Sequence, residues 1–448
     1  KLTDEIIHKT KEEQTEYAQK LGEMIRCETI SKKDEYDDTE FKKLRETVES
    51  LFPLVHEKCE RMIFSDDCWI YKLKGKDESR NIMVMSHHDV VEASGEWTHP
   101  AFSGEIEDGR VWGRGTLDTK GGLAMMLQAA EELIEEGFTP KRDTFFVSSC
   151  NEETDGAGCD AISRILQERN IELHFVLDEG GMIKYDPIGG AKGTFAMIGV
   201  GEKACIDLKF IAKSNGGHAS APGKNTPIAR LAQFICEAEK AECFEVKMSD
   251  TVKETLSRFA PTMSGVMKVA CGNVNVFEPV LKKVMPMISP SGAALLRTTL
   301  AFTMSKGSDG SNVIPQEAWV IGNMRASHHQ GKKASIDAIT ALAKKYDIET
   351  VITDDGIESG ITDYMGEAFN FIEKAVNTVF PDYKPVPYIM NAATDSRYFN
   401  RVSDNCIRFV PFLINDQQLD SIHAIDENVD ISTLAPAVDF YRYVIKEA

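Results

Sequence analysis

The sequence has no C-x-x-C pair, no internal repeat and no apolar run near the ~20 residues that a transmembrane helix needs. Its ten cysteines are scattered from Cys27 to Cys406, which is unlike the framework of a small disulfide-rich domain. The given sequence shows no secretory leader, so we expect reduced thiols and a cytoplasmic location, and because it begins with Lys1 rather than Met the loss of a targeting segment stays open. From these absences we expect neither a membrane-spanning helix nor a disulfide scaffold.

Acidic side chains outnumber basic side chains in this sequence. Lys and Arg total 51 against 71 Asp and Glu, which gives a net charge of −20 over 448 residues. An acidic surface repels phosphate backbones and anionic lipids, so nucleic acids and membranes are not expected as partners. Carboxylates can instead bind cations. The 42% hydrophobic content is that of a globular protein, and the length predicts two or three domains.

The first and last parts of the chain alternate between short apolar runs and helical patterns. A helix is predicted over 3–28, capped by Thr3, and another over 123–136. Three apolar runs are predicted to be buried strands, at 81–85, 144–148 and 173–177. Strands separated by helices predict a mostly parallel sheet that is covered on both faces.

The pattern changes in the middle of the chain. Strands and helices follow there in the order β-α-β-β-α-β, which is typical of a ferredoxin-like sandwich. Residues 242–296 do not fit that order, and their role stays open. We therefore predict an α/β fold in which 1–198 and 358–448 form an α/β/α domain and 199–357 form an inserted α+β domain.

Polar residues that can bind metals follow each of the three buried strands. The stretches are Ser86-His87-His88-Asp89, Asn151-Glu152-Glu153 and Asp178-Glu179-Gly180-Gly181. In an open parallel sheet, ligands bind outside the carboxyl ends of the strands. We therefore expect His and carboxylate side chains to meet in one crevice.

Two further segments carry candidate ligands. Asp118 lies just before a predicted helix, where it is either an N-cap or a ligand. The glycines around Asp118 do not form a phosphate loop, because G-x-x-x-x-G-K-[ST] is absent. His423 near the end of the chain is, taken alone, more often a structural histidine than a ligand.

The order of these motifs resembles that of the M20 family of zinc metallopeptidases, over nearly the whole chain. The matching stretches include His87-His88-Asp89, Gly113 to Gly122, Gly216-Gly217-His218 and Ile422-His423. Asn312-Val313-Ile314-Pro315 and Thr394-Asp395-Ser396-Arg397 look most like the branch of carboxypeptidase S and the N-acyl-amino-acid hydrolases.

The resemblance implies a zinc-peptidase-like catalytic domain with two zinc ions per chain, which cobalt or manganese could replace in vitro. The implied ligands are His87 and Asp178 for one ion, Glu153 and His423 for the other, and Asp118 as the bridge. Imidazole and carboxylate ligands suit zinc. His88 is expected to point away, because neighbours on a strand face opposite sides.

The resemblance also implies catalytic roles. Glu152 would be the general base that takes a proton from the water between the metals. Asp89 would orient the imidazole of His87. His218, from the inserted lid or dimerisation domain, would stabilise the oxyanion, acting within its own chain or in a partner subunit. Asn312, Arg325 and Arg397 are candidates for substrate binding, and each Arg has an ordinary surface ion pair as its alternative.

The expected reaction is hydrolysis of an amide bond next to a free carboxylate, in a small peptide or an N-acyl amino acid. A deacylase of a biosynthetic acetyl- or succinyl-amino acid is the alternative within the same class. A catalytically silent binding protein on the same fold is the alternative outside it. A homodimer through the inserted domain is expected, since His218 is distant in sequence from the metal motifs.

Overall fold

The computed structural model describes residues 10–33, 37–64 and 67–448, and the chain divides into two compact units. Unit 1 comprises Lys1–Gly201, Gly360–Tyr388 and Thr394–Ala448. Unit 2 comprises Glu202–Ser359 and Ile389–Ala393. The boundaries expected from the sequence lie two or three residues away, and they did not include the short return of 389–393.

The elements before unit 2 are α1 (Lys11–Ile25), α2 (Thr39–Leu51), α3 (Pro53–Lys58), β1 (Glu60–Ile63), β2 (Trp69–Leu73), β3 (Asp77–His87), β4 (Glu105–Glu107), β5 (Arg110–Trp112), α4 (Lys120–Glu135), β6 (Arg142–Ser149), α5 (Ala157–Glu168), β7 (Leu173–Asp178), β8 (Ile183–Tyr185) and β9 (Thr194–Glu202). Unit 2 then contributes β10 (Ala204–Lys213), β11 (Gly217–His218), α6 (Pro227–Ala238), α7 (Asp250–Phe259), α8 (Gly265–Gly272), α9 (Val274–Ile288), α10 (Pro290–Leu296), β12 (Thr299–Lys306), β13 (Val313–Ile314), β14 (Glu317–Ala326), α11 (Gly331–Lys344) and β15 (Glu349–Asp354). The chain ends with α12 (Glu367–Val379), β16 (Lys384–Met390), β17 (Cys406–Arg408), β18 (Leu413–Ile414), α13 (Asp416–Ser421), β19 (Asn428–Asp430) and α14 (Leu434–Glu447).

Helix α1 begins at Lys11 because its N-terminus is closed by a capping box. The Thr10 hydroxyl accepts the Glu13 N–H, and the Glu13 carboxylate accepts the Thr10 N–H. The predicted cap, Thr3, lies outside the described residues. No helix among the described residues combines the length and the apolar character that crossing a bilayer requires.

Unit 1 is built on a large sheet with the strand order β1-β2-β6-β3-β7-β17-β9-β8-β18, in which β16 also pairs with β9. Strands β6, β3, β7 and β17 are parallel neighbours. Helix α4 packs on β3, and α14 packs on α4. The α/β fold predicted from alternating strands and helices is confirmed.

The register of the parallel strands aligns their carboxyl ends. His87 at the end of β3 pairs with Ser149 at the end of β6. Val84 on β3 pairs with Leu177, one residue before the end of β7. The residues that follow these strands therefore emerge at one edge of the sheet.

Unit 2 has a four-stranded antiparallel sheet with the order β12-β14-β10-β15. Its core includes Phe210 on β10, Phe234 on α6 and Ile339 on α11, all 0% exposed. The predicted β-α-β-β-α-β order is formed by β10, α6, β12, β14, α11 and β15. The segment 242–296 supplies the helices α7 to α10 between α6 and β12.

Candidate metal centre

His87 is a buried imidazole at the carboxyl end of β3. It is 1% exposed, and its Nδ1 lies 3.0 Å from the backbone oxygen of Asp89. Its Nε2 lies 3.0 Å from Oδ1 of Asp118. Burial lowers the pKa of His87, but hydrogen bonds to Asp118 and Asp89 outweigh it, and the pKa lies well above its usual value. The backbone carbonyl can only accept a hydrogen bond, so Nδ1 donates to it and Nε2 faces the carboxylates.

The Asp118 carboxylate lies between two imidazoles. Its Oδ1 faces His87, and its Oδ2 is 2.9 Å from Nε2 of His423. The same His423 nitrogen is 3.2 Å from Oε2 of Glu153. One donor atom each of His87, Asp118 and Glu153 lie within 4.8 Å of one another. One oxygen of the Asp118 carboxylate thus faces His87, and the other faces His423.

Asp89 connects the end of β3 to the loop after β6. Its carboxylate is fully buried and accepts the backbone N–H of Glu152 at 3.2 Å and that of Glu153 at 3.1 Å. The Ser31 hydroxyl donates to the same carboxylate at 2.6 Å. Its Oδ1 is 3.4 Å from Nδ1 of His87. Asp89 therefore holds the loop that carries both glutamates, a role that the sequence did not predict.

Asp178 ends β7, the strand next to the one that carries His87. Its carboxylate is 3% exposed and accepts the N–H groups of Glu179 and Ser396, each at 2.8 Å. Burial, with a contribution from Asp395, raises the pKa of Asp178 to about 6. Two backbone donors fix the orientation of this carboxylate at the sheet edge.

Buried carboxyl groups outnumber cations at this edge. Burial raises the pKa of each of these groups, namely Glu152, Glu153, Asp178, Glu179 and Asp395. The Oε1 atom of Glu153 is buried and has no hydrogen-bond partner among the described residues. A divalent cation would offset the excess negative charge and give this oxygen a partner. The residues present therefore fit a metal.

His88 points away from these groups, as the alternation of the strand predicts. Its Nδ1 is 2.7 Å from Oγ of Ser148, and its ring stacks on Trp69 with the centroids 4.3 Å apart. Burial lowers its pKa to about 3, so the ring is neutral.

Glu427 holds the loop that leads to Asp118, residues 115–118, through backbone hydrogen bonds. Its carboxylate is 0% exposed and accepts the N–H groups of Gly115, Leu117 and Asp118 at 3.1, 2.8 and 3.1 Å. It also lies 2.8 Å from Nη1 of Arg114. Sequence reasoning assigned no role to Glu427, although it stands four residues after His423. That proximity was the available signal.

Arg397 lies beside the glutamate loop. Its Nη1 donates to the backbone oxygen of Thr394 at 2.6 Å and lies 4.0 Å from Oε1 of Glu152. Its guanidinium covers the ring of Tyr398 at 4.7 Å. Arg397 is thus a positive charge next to the proposed base.

The remaining predicted residues belong to unit 2. His218 on β11 is exposed and pairs with Val313 on β13. The backbone N–H of Ala219 donates to the backbone oxygen of Asn312 at 2.9 Å. His218 therefore lies in the two-stranded sheet of β11 and β13, and Asn312 directly precedes β13. Arg325 is near the end of β14, where its Nε donates to Oδ1 of Asn323 at 3.0 Å.

Comparison with known proteins places this geometry in context. The model of the peptidase family M20/M25/M40 matches residues 83–447. The chain is 32% identical over 445 residues to a probable carboxypeptidase S-like protein of Dictyostelium discoideum, covering 96% of this chain and 85% of the relative. It is 30% identical over 456 residues to the N-fatty-acyl-amino acid synthase/hydrolase of Homo sapiens, covering 98% of this chain and 89% of the relative.

The fold has a counterpart among solved structures. The M20 family metallo-carboxypeptidase Sso-CP2 from Sulfolobus solfataricus superimposes with a TM-score of 0.70 at 16% identity, covering 96% of this chain and 98% of that chain. At that identity the likeness concerns the fold alone. The family match and the curated relatives together show that this chain is a hydrolase that belongs to the peptidase family M20/M25/M40.

Proposed function

We propose that this protein is a binuclear zinc enzyme that hydrolyses the amide bond next to a free carboxylate. The observation that carries the proposal is the Asp118 carboxylate, whose oxygens face His87 and His423. Two curated relatives are named for a carboxypeptidase and for an N-fatty-acyl-amino acid hydrolase. Both kinds of substrate present an amide bond beside a free carboxylate.

We assign the metal ligands as the sequence predicts. His87 and Asp178 serve one ion, Glu153 and His423 serve the second, and Asp118 serves both. Two zinc ions, when bound, would lower the pKa of a water from 15.7 toward about 7 and polarise the scissile carbonyl. Cobalt or manganese suits the same nitrogen and oxygen donors.

Glu152 is assigned as the general base. Its Oε2 lies 3.9 Å from Nε2 of His87, so it is close to the ligands without being hydrogen-bonded to that imidazole. It takes a proton from the attacking water and delivers it to the leaving amine. Burial raises the pKa of Glu152, which favours holding that proton until the amine leaves.

Four further residues keep the roles that the sequence predicts. Arg397, beside Glu152, is suited to a substrate carboxylate. Arg325 and Asn312 in unit 2 are assigned to the same substrate, and His218 to the developing oxyanion. We further propose a homodimer through unit 2, where the outer strand β15 exposes Val351 and Ile352. Sedimentation that gives only monomer at micromolar concentration would contradict the dimer.

The test combines metal content with turnover. Zinc per chain is measured on the purified protein, and a panel of dipeptides and N-acyl amino acids is assayed before and after chelation. We expect about two zinc per chain, loss of turnover on chelation and recovery with added zinc. Metal that binds without any turnover would favour a silent binding protein, and turnover confined to acetyl- or succinyl-amino acids would favour the deacylase.

The Glu152→Gln variant tests the base separately. It should lower kcat by roughly 10²–10⁴-fold while the zinc content stays unchanged. Asp155→Asn, an exposed carboxylate in the same loop, is the matched control and should keep wild-type kcat. Wild-type kcat in Glu152→Gln would exclude this residue as the base.

A further inference from the structure

Two buried thiols meet at the sheet edge that carries the candidate metal centre. Cys68 directly precedes β2, and Cys150 directly follows β6. Their Sγ atoms are 3.1 Å apart, and the residues are 0% and 2% exposed. The function proposed above uses neither thiol.

The strand register brings the two backbones to bridging distance. Strands β2 and β6 are antiparallel, and Trp69 pairs with Ser148. Extending that register places Cys68 opposite Ser149, one position from Cys150. Strand spacing and rise per residue then put the two Cα atoms about 6 Å apart, which is a usual separation for a disulfide.

The surroundings leave room for the Cys68 sulfur and supply a competing thiol. A Cβ at Gly158 would lie 2.1 Å from Sγ of Cys68, so this side chain fits because residue 158 is glycine. Cys159 is also 0% exposed.

We propose that Cys68 and Cys150 form a disulfide when the protein is equilibrated with oxidised glutathione. One of the two thiolates attacks glutathione disulfide, which releases one glutathione and leaves a mixed disulfide. The second thiolate then attacks the protein sulfur and releases the other glutathione. Two protein thiols are oxidised to one disulfide, and one glutathione disulfide is reduced to two thiols that take up the two protons.

The bond would anchor the start of the loop that carries Glu152. Cys150 is followed by Asn151, whose backbone oxygen accepts the N–H groups of Thr154, Asp155 and Gly156. The bond would also close a loop between residues 82 positions apart, which restricts the unfolded chain. We expect slower amide exchange over 151–158 and a higher unfolding temperature in the oxidised form.

Peptide mapping of the full chain tests the proposal directly. The zinc-loaded protein is incubated with oxidised glutathione, and a second sample is refolded from denaturant in the same buffer, because unfolding exposes both thiols. Each sample is alkylated in denaturant and digested, and its peptides are identified by mass spectrometry. We expect a peptide that joins Cys68 to Cys150 and a fall in alkylated cysteines from ten to eight.

Two results would overturn the proposal. One is ten alkylated cysteines in both samples, and the other is a bond from Cys68 or Cys150 to Cys159. Cys236→Ser, which removes an exposed thiol, should keep the linked peptide. Cys150→Ala should lose both the peptide and the difference in unfolding temperature between oxidised and reduced protein. The wild-type map decides the question even if Cys150→Ala fails to fold.

Discussion

Replacing Glu427 with glutamine should weaken both the fold of unit 1 and the position of Asp118. The carboxylate accepts three backbone N–H groups and pairs with Arg114 at 2.8 Å. Glu427 and Arg114 are 0% and 2% exposed, so the pair is fully desolvated. In Glu427→Gln the amide oxygen can still accept backbone N–H groups, but the amide nitrogen then faces a guanidinium donor.

The size of the effect follows from that burial. Removing one partner of a buried ion pair costs about 3–5 kcal/mol, because the other charge is left uncompensated. Urea unfolding of chelated wild-type protein and Glu427→Gln measures this loss without any contribution from metal. Glu92→Gln is the control: Glu92 is 67% exposed and lies 3.5 Å from Lys32, so its loss should be below about 1 kcal/mol.

A double substitution tests the physical reason. Arg114→Met combined with Glu427→Gln removes both charges, so it should cost less than the sum of the two single changes. A loss below about 1 kcal/mol in Glu427→Gln alone, or strict additivity in the double variant, would refute the reasoning. Zinc affinity should also fall by about 10–100-fold in Glu427→Gln, because Asp118 loses a support.

Three other perturbations have expected outcomes. Gly158→Ala should destabilise the reduced protein by about 1–3 kcal/mol, because the new Cβ would meet the sulfur of Cys68. Gly189→Ala is the control and should leave the stability unchanged, because no atom lies within 4 Å of a Cβ at that position. Urea unfolding measures the stability of both variants. Burial lowers the pKa of Lys203 from 10.5 to about 8, so the unfolded chain binds more protons between these values. The stability of the wild type minus that of Lys203→Met, measured by calorimetry, should therefore rise with pH over that range. A fall in this difference would contradict the reasoning. His423→Ala should reduce bound zinc from about two to about one per chain after dialysis, and unchanged zinc would remove His423 from the ligand set.

The architecture could be predicted from the sequence because its signals are local. The apolar runs at 81–85, 144–148 and 173–177 became β3, β6 and β7, and the predicted helix over 123–136 became α4. The edge strand β1, its neighbour β2 and the late strand β16 were not predicted. Strand β2 pairs with β6 and β16 pairs with β9, both far along the chain, and β1 is only four residues long, so no local period identifies these strands.

The grouping of the candidate ligands also followed from the sequence, through the rule that parallel strands end at one edge. The sequence did not reveal which atoms of these residues are in contact. Asp89 reaches the Glu152 N–H 63 residues later, and Arg114 reaches Glu427 over 313 residues. These contacts depend on how loops close around the sheet, and loop closure has no signature in residue spacing.

The sequence by itself thus determined the two-part α/β organisation and the residue types that collect at the sheet edge, because periodicity and strand ends are properties of neighbouring residues. Only the tertiary structure decided that Asp118 lies between His87 and His423, that Glu427 holds its loop, and that Cys68 meets Cys150. Burial and hydrogen bonding between distant segments set those positions, and both arise only when the chain is packed.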